Sequence, residues 1–392
     1  YLGNSAQHHF KANPGFGLMQ KLVLTEEEQM VRESAADFLR QKAGPDALRE
    51  IRDTANPQGF SSDVWREMGE LGWPSILIGE EHGGLGFSHV AMGQIMELCG
   101  STLACSPLFA TAVVGASALS LGGDRLALLP KVAAGSLTLA LAIDESSRHN
   151  PADIATRAVK RGDGYTLNGE KTFVVDGNVA DFLIVSVRET NNSDDFLLFL
   201  IPSDAEGVAI SKTEMVDSRN SATVQLNDVR VESDQLVGQS GAGLATLREV
   251  LNIANVHLSA ELLGIANECF ERTLRYLNER KQFGVEIGSF QGLQHRAAIL
   301  WTEIELCKSI VLKALRALDE SPDEAGLLAS TAKAKTCQVA ELASNEGIQM
   351  HGGIGMTDEF DIGFFIKRAR VAQMLYGDRR YHLNRYAELQ AY

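Results

Sequence analysis

Three short segments carry side chains whose types and spacing suit chemistry. They are Arg280-Lys281-Gln282-Phe283-Gly284, Phe290-Gln291-Gly292-Leu293-Gln294-His295 and Gln349-Met350-His351-Gly352-Gly353. An arginine presents a planar fork of donors suited to phosphate oxygens. Gln349 adds an amide donor, and a Gly-Gly pair lets backbone N–H groups come close to an anion. The same residues also have a plain structural reading, with Arg280 at a helix end and Gly352-Gly353 as a helix stop. Spacing alone leaves both readings open. Metal chemistry is not indicated, because no H-x-x-x-H pair or Cys/His cluster is present. The five cysteines are odd in number and form no C-x-x-C pair. That argues against a disulfide framework and a zinc site, and for a reducing, cytoplasmic setting. Gly83-Gly84-Leu85-Gly86 lacks the preceding strand that a dinucleotide fingerprint needs, so it reads as a turn.

The elements that position these residues fall into three stretches. Thr25-Glu26-Glu27-Glu28 is a capping-box signature, followed by apolar residues at helical spacing. Residues 19–130 therefore read as a helical domain. In residues 131–240 the pattern turns to strands. Tyr165–Val175 is expected to be a hairpin around an Asn168-Gly169 turn, with strands at Phe182–Val187, Phe196–Ile201, Val208–Lys212 and Thr223–Val231. Residues 241–392 return to helix, with spans at Leu244–Arg280, Gln291–Leu318, Glu324–Met350 and Phe360–Leu375. The expected fold is thus α+β: an N-terminal helical domain, a middle β-sandwich or barrel, and a C-terminal four-helix bundle. Residues 1–18, which include His8-His9, are expected to be an accessory tail outside this fold.

The 392 residues are 45% hydrophobic and 22% charged, enough to build a large core. The 36 basic and 51 acidic residues give a net charge of −15. Such a surface disfavours non-specific contact with nucleic acid or anionic lipid, though not a small anionic ligand held by a local basic group. No apolar run reaches the roughly 18 residues of a membrane span, and no signal peptide is evident.

From about Leu24 to the C-terminus, the order and spacing of the three segments, together with Glu80-Glu81-His82-Gly83-Gly84-Leu85-Gly86, resemble the acyl-CoA dehydrogenase family. The resemblance implies FAD, an acyl-CoA thioester substrate, an electron acceptor such as an electron-transfer flavoprotein, and a homo- or heterotetramer. It places Arg280, Gln349, Gly352 and Gly353 against the ADP half of an FAD seated mainly on a neighbouring subunit, with Gln282, Phe283 and Gln291 as further cofactor contacts. Phe173 keeps an aromatic face where the family has a tryptophan beside the flavin.

The family removes two hydrogens from the Cα–Cβ bond of the acyl group, with a glutamate taking the α-proton. One of its two glutamate positions aligns with Tyr376 and the other with Ala254. A tyrosine is a poor base at neutral pH, and alanine is none. Asp378 is the nearest carboxylate to the first position. It reads either as a displaced base or as the cap of a helix starting at Arg379. Hydroxyls that hold the flavin edge in the family align with Ile143 and Val175. Groups reaching to a neighbour's FAD are therefore kept, while those seating the chain's own flavin are lost. That asymmetry resembles the non-catalytic subunit of heteromeric acyl-CoA dehydrogenases. The other readings are a self-sufficient dehydrogenase using Asp378, a related flavoprotein oxygenase, and a structural homologue without a cofactor role. Lys367-Arg368-Ala369-Arg370 reads as a solvated basic face or one that meets an acidic partner.

Overall fold

The computed structural model describes residues 22–190 and 195–392. The expected tail at residues 1–18 lies outside the described residues. The first stretch holds α1 (Glu26–Lys42), α2 (Pro45–Asp53), α3 (Ser62–Glu70) and α4 (His89–Thr102). A π-helical segment at Phe109–Gly115 then leads into α5 (Ala116–Gly122) and α6 (Leu129–Ala133). The capping box at α1 forms as its sequence dictates. Thr25 Oγ1 accepts from the Glu28 amide at 3.2 Å, and the Glu28 carboxylate accepts from the Thr25 amide at 2.8 Å.

The middle stretch contributes β1 (Leu139–Ala142), β2 (Arg157–Arg161), β3 (Gly164–Val175), β4 (Phe182–Glu189), β5 (Phe196–Pro202), β6 (Val208–Lys212), β7 (Ser221–Glu232) and β8 (Leu236–Val237). They form one sheet in the order β6-β7-β3-β2-β4-β5-β8, with β1 pairing parallel to β4. The expected hairpin at Asn168-Gly169 does not form: β3 runs through it as one 12-residue strand. The Asn168 side chain instead exchanges hydrogen bonds of 2.9 Å with Asp228 on β7, and the pairing register shifts between Leu167 and Gly169. The Asn-Gly pair makes a β-bulge, the other use of glycine in a strand.

The last stretch is helical: α7 (Gly243–Glu279), α8 (Gln291–Glu320), α9 (Pro322–His351), α10 (Ile362–Met374) and α11 (Arg379–Leu389). A two-strand hairpin of β9 (Lys281–Gln282) and β10 (Val285–Glu286) projects between α7 and α8. At its turn Phe283 takes φ 54° and is 92% exposed. Helix α7 is the spine, packing against α4, α8, α9 and α10. It crosses α4 on two glycines. A Cβ on Gly100 would meet the Glu261 carbonyl oxygen at 2.0 Å, and one on Gly264 would meet that of Glu97 at 1.8 Å. Only glycine permits that backbone approach.

At the same seam His89 Nδ1 lies 3.0 Å from His257 Nε2, and His257 Nδ1 has no hydrogen-bond partner among the described residues. Burial lowers His89 to about 4 and His257 well below its ordinary value, while burial and nearby cations take His382 to about 2. All three are neutral when folded, and the unfolded chain protonates them near pH 6.5. The stabilisation is therefore complete above about pH 6.5 and is lost as the pH falls, down to about 4 for His89 and about 2 for His382. His89 alone is expected to account for ~3 kcal/mol across that window. Calorimetric Tm values should fall steadily from pH 6.5 to 4 and fall less in His89→Gln; a flat profile would refute this.

Candidate functional site

Two separate constellations emerge. The first is exposed. Arg280 is the C-cap residue of α7, and Gly352, at φ 64°, is the C-cap of α9, so the structural reading of both motifs holds in detail. The functional reading gains support from what surrounds them. Arg280, Gln282, Phe283, Gln291, Gln349, Gly352 and Gly353 are all solvent-exposed. A Cβ on Gly352 or Gly353 would meet nothing within 4 Å. Caps need no such clear approach. These exposed donors and bare backbone positions lie at the ends of α7 and α9 and in the segments that follow them, open to a group from outside the chain.

The second constellation lies inside, where the loop after β1, the end of β3 and the α10–α11 loop converge. The first loop is tied to the sheet by Lys171, whose buried ammonium donates to Glu145 at 2.7 Å and Ser186 at 3.0 Å. Burial brings Lys171 down to about 8 against the pull of Glu145. Ile143 is buried in the core, and Val175 packs against it, so both flavin-edge positions are apolar, as their sequence register requires. Phe173 and Asp176 bracket Val175, each in the left-handed region at φ 52° and 55°. Phe173 is 43% exposed and offers an open ring face.

Tyr376, also left-handed at φ 52°, is buried on the other side of the cleft. Its ring lies 6.2 Å from His149 and 6.3 Å from Phe109. His149 is pinned by Asp144 at 2.8 Å and stacks edge-on with Tyr381 at 4.9 Å. Aromatic rings thus bridge the loop after β1 and the α10–α11 loop. Burial raises the Tyr376 hydroxyl above its ordinary value, which removes it further from service as a base. Asp378 accepts from the Tyr381 amide at 2.8 Å and is the N-cap of α11.

Cavities flank this bridge. An outer one of about 510 Å³ is bounded by His149, Arg248, Asn255, Tyr381 and Arg385. An inner one of about 40 Å³ is bounded by Val175, Asp176, Asp217, Arg219, Glu261 and Arg368, among others. That inner volume is far below the several hundred Å³ of an ordinary ligand pocket and suits a water or two. Its polar wall was not anticipated. Arg368 binds Glu261 through two contacts of 2.7 and 2.8 Å and Asp217 at 3.0 Å, all buried. The Lys367–Arg370 run is therefore not a uniform solvated or partner-facing patch: Arg368 faces inward, and only Lys367 and Arg370 lie nearer the surface. Burial pushes Glu261 up, but Arg368 holds it below its ordinary range. Glu261 lies seven residues, two helical turns, beyond Ala254 on the same face of α7. That spacing was the available signal.

Among the described residues no group of three or more His, Cys, Asp or Glu side chains could hold a metal ion, and no helix is long and apolar enough to cross a membrane. The acyl-CoA dehydrogenase N-terminal, middle and C-terminal domain families match residues 25–136, 140–229 and 241–390. The chain is 31% identical over 366 residues to the probable acyl-CoA dehydrogenase YngJ of Bacillus subtilis, covering 90% of this chain and 94% of that protein. The chain belongs to the acyl-CoA dehydrogenase family.

Among solved structures, the Tcur3481–Tcur3483 steroid ACAD, as a G363A variant, is similar at 29% identity and TM-score 0.84, covering 93% of this chain and 98% of that one. The ChsE4–ChsE5 complex of Mycobacterium tuberculosis shares the fold at 22% identity and TM-score 0.85, covering 95% and 99%. The family consists of FAD-binding oxidoreductases acting on acyl-CoA, and the helix–sheet–helix plan expected from the sequence is the family fold. The two constellations differ in how they suit FAD. The exposed constellation fits a pyrophosphate: it offers a guanidinium, an amide and two Cβ-free backbone positions. The inner cleft does not fit a flavin ring, because it pairs Ile143 and Val175 with a His149–Tyr376 contact across it.

Proposed function

We propose that this chain takes part in α,β-dehydrogenation of an acyl-CoA as the non-catalytic subunit of a heteromeric acyl-CoA dehydrogenase. The observation that carries the reading is the asymmetry between the two constellations. Arg280, Gln349, Gly352 and Gly353, with Gln282, Phe283 and Gln291 beside them, face outward toward an FAD on a neighbouring chain, where bound FAD would accept hydride. The chain's own cleft has lost its base and its flavin-edge hydroxyls, and the His149 and Tyr376 rings face each other across it. A homotetramer needs both halves in every chain; a heteromer needs one half in each. The two-chain steroid ACAD among the similar structures supports this arrangement. An electron-transfer flavoprotein would then take electrons from the partner's FAD. The five thiols, all free and buried, agree with a reducing cytoplasm.

The first test is the visible spectrum of the purified chain, with FAD content and native mass. The expected result is a protein with little flavin that gains FAD when co-expressed with a related dehydrogenase chain. One FAD per chain in a homotetramer would sink the reading. Flavin-dependent oxygen consumption would favour an oxygenase, and no gain with any partner would favour a purely structural homologue.

Asp378 caps α11. Asp378→Ala is expected to cost about 1 kcal/mol of stability, as N-cap losses do, and to leave turnover by the assembly within about twofold of wild type. Loss of turnover with FAD and fold retained would restore Asp378 as a base.

A further inference from the structure

The inner cavity gathers three carboxyl groups and two guanidiniums where this chain has no base. Asp176 comes from the end of β3, Asp217 and Arg219 from the β6–β7 loop, Glu261 from α7 and Arg368 from α10. Among the described residues, Arg219 Nη2 and Ser221 Oγ are buried without hydrogen-bond partners, and Arg219 Nη2 stops 3.8 Å from Glu261. Unpaired buried polar atoms are uncommon, so the arrangement is poised rather than fully satisfied.

We propose that this cluster is a proton-controlled latch between the β-sheet and the C-terminal helices, closed when Asp176 is protonated and opened when Asp176 ionises. Charge balance sets the direction. With Asp176 neutral, the cavity holds two carboxylates, Asp217 and Glu261, against Arg219 and Arg368. With Asp176 ionised it holds three against two, in a space of about 40 Å³ that admits a water or two. The unmatched charge draws the free Nη2 of Arg219 away from Glu261 and brings water in behind it. The β6–β7 loop then loses its direct contact with α7 at Arg219 and hangs on Asp217 alone, which Arg368 still holds together with Glu261. Burial, opposed mainly by Arg219, places the Asp176 transition at about 7, so the latch turns within the physiological range. The other titratable groups facing the cavity do not compete. Burial holds the thiols of Cys99, on α4, and Cys105 in their protonated forms. Tyr376 stays neutral, and the Lys333 ammonium on α9 is bonded to the carbonyls of Leu375 and Gly377 at 2.9 Å.

The latch rests on the reading that the chain's own cleft holds no flavin, and the two fail separately. A flavin-loaded isolated chain would sink that reading by its spectrum. The latch is read by amide hydrogen exchange of the full chain, corrected for intrinsic rates, at about pH 6 and about pH 8. Segment 213–221 is expected to exchange at least about threefold faster at the higher pH in wild type, and at equal rates in Asp176→Asn. Asp176→Ser serves as a second neutral variant should the first fold poorly. Equal rates in wild type, or an unchanged pH response in both neutral variants, would overturn the proposal.

Discussion

Replacing Arg280 by alanine is expected to weaken FAD retention by the reconstituted assembly about 10- to 100-fold, with no change in the unfolding of the isolated chain. The reasoning joins position to chemistry. Arg280 ends α7, is solvent-exposed, and its guanidinium makes no ion pair or hydrogen bond among the described residues, so its removal leaves nothing inside the chain unsatisfied. Its proposed bond is to a charged pyrophosphate on another chain, and hydrogen bonds to charged groups are worth ~1.5–3 kcal/mol, one to two decades in affinity. Arg280→Lys should fall between, keeping the charge but losing the planar fork. The measurement is FAD per assembly after desalting, followed by a titration with free FAD. An assembly that forms normally and holds FAD as tightly with alanine at 280 would refute the role.

The second large effect is internal. Arg368→Gln is expected to destabilise the chain by ~3–5 kcal/mol, the usual result of removing one partner from a buried ionic cluster. Both Arg368 contacts to Glu261 are short, and the pair is almost wholly buried, with side-chain exposures of 6% and 1%. Glutamine would leave the Glu261 and Asp217 carboxylates with Arg219 as the nearest cation, at 3.8 Å from Glu261. Tm should drop by roughly 4–6 °C. The control is two residues away. Arg370 pairs with Glu341 at 2.9 Å, but both side chains are about half exposed, so Arg370→Gln should cost ~1 kcal/mol or less. Equal effects from the two variants would show that the buried cluster carries no special weight.

The sequence made some of this legible because the signals were local. The α1 capping box, the apolar periodicity of α7 to α9 and the β-branched strands each repeat within a few residues, and those elements form close to their expected bounds. The Asn168-Gly169 bulge was misread because the deciding contact, Asp228, is 60 residues away. Strand β1 was missed because Leu139–Ala142 is short and buried throughout, without alternation. The ends of α7 at Arg280 and of α9 at Gly352 could be read from the sequence, as a helix end and a glycine stop. The buried cluster could not, because its members come from four separated segments, and a basic run looks the same in sequence whether its middle residue points out or in. The losses at Ile143, Val175 and Tyr376 were legible as residue types. That the His149 and Tyr376 rings close on each other follows only from the fold.

The β9–β10 hairpin has a consequence for how such a protein lives in a cell. Phe283 stands at the hairpin tip in a left-handed conformation, 92% exposed, with Val285 and Phe290 also open beside it. Met356 is 77% exposed and Trp301 53%. A copy without a neighbour therefore exposes a tip where the Phe283 and Phe290 rings meet, the kind of apolar surface that marks an interaction site. If the chain assembles as proposed, copies made in excess of their neighbours would be the ones that keep this tip uncovered, and self-association of the lone chain should rise with its concentration.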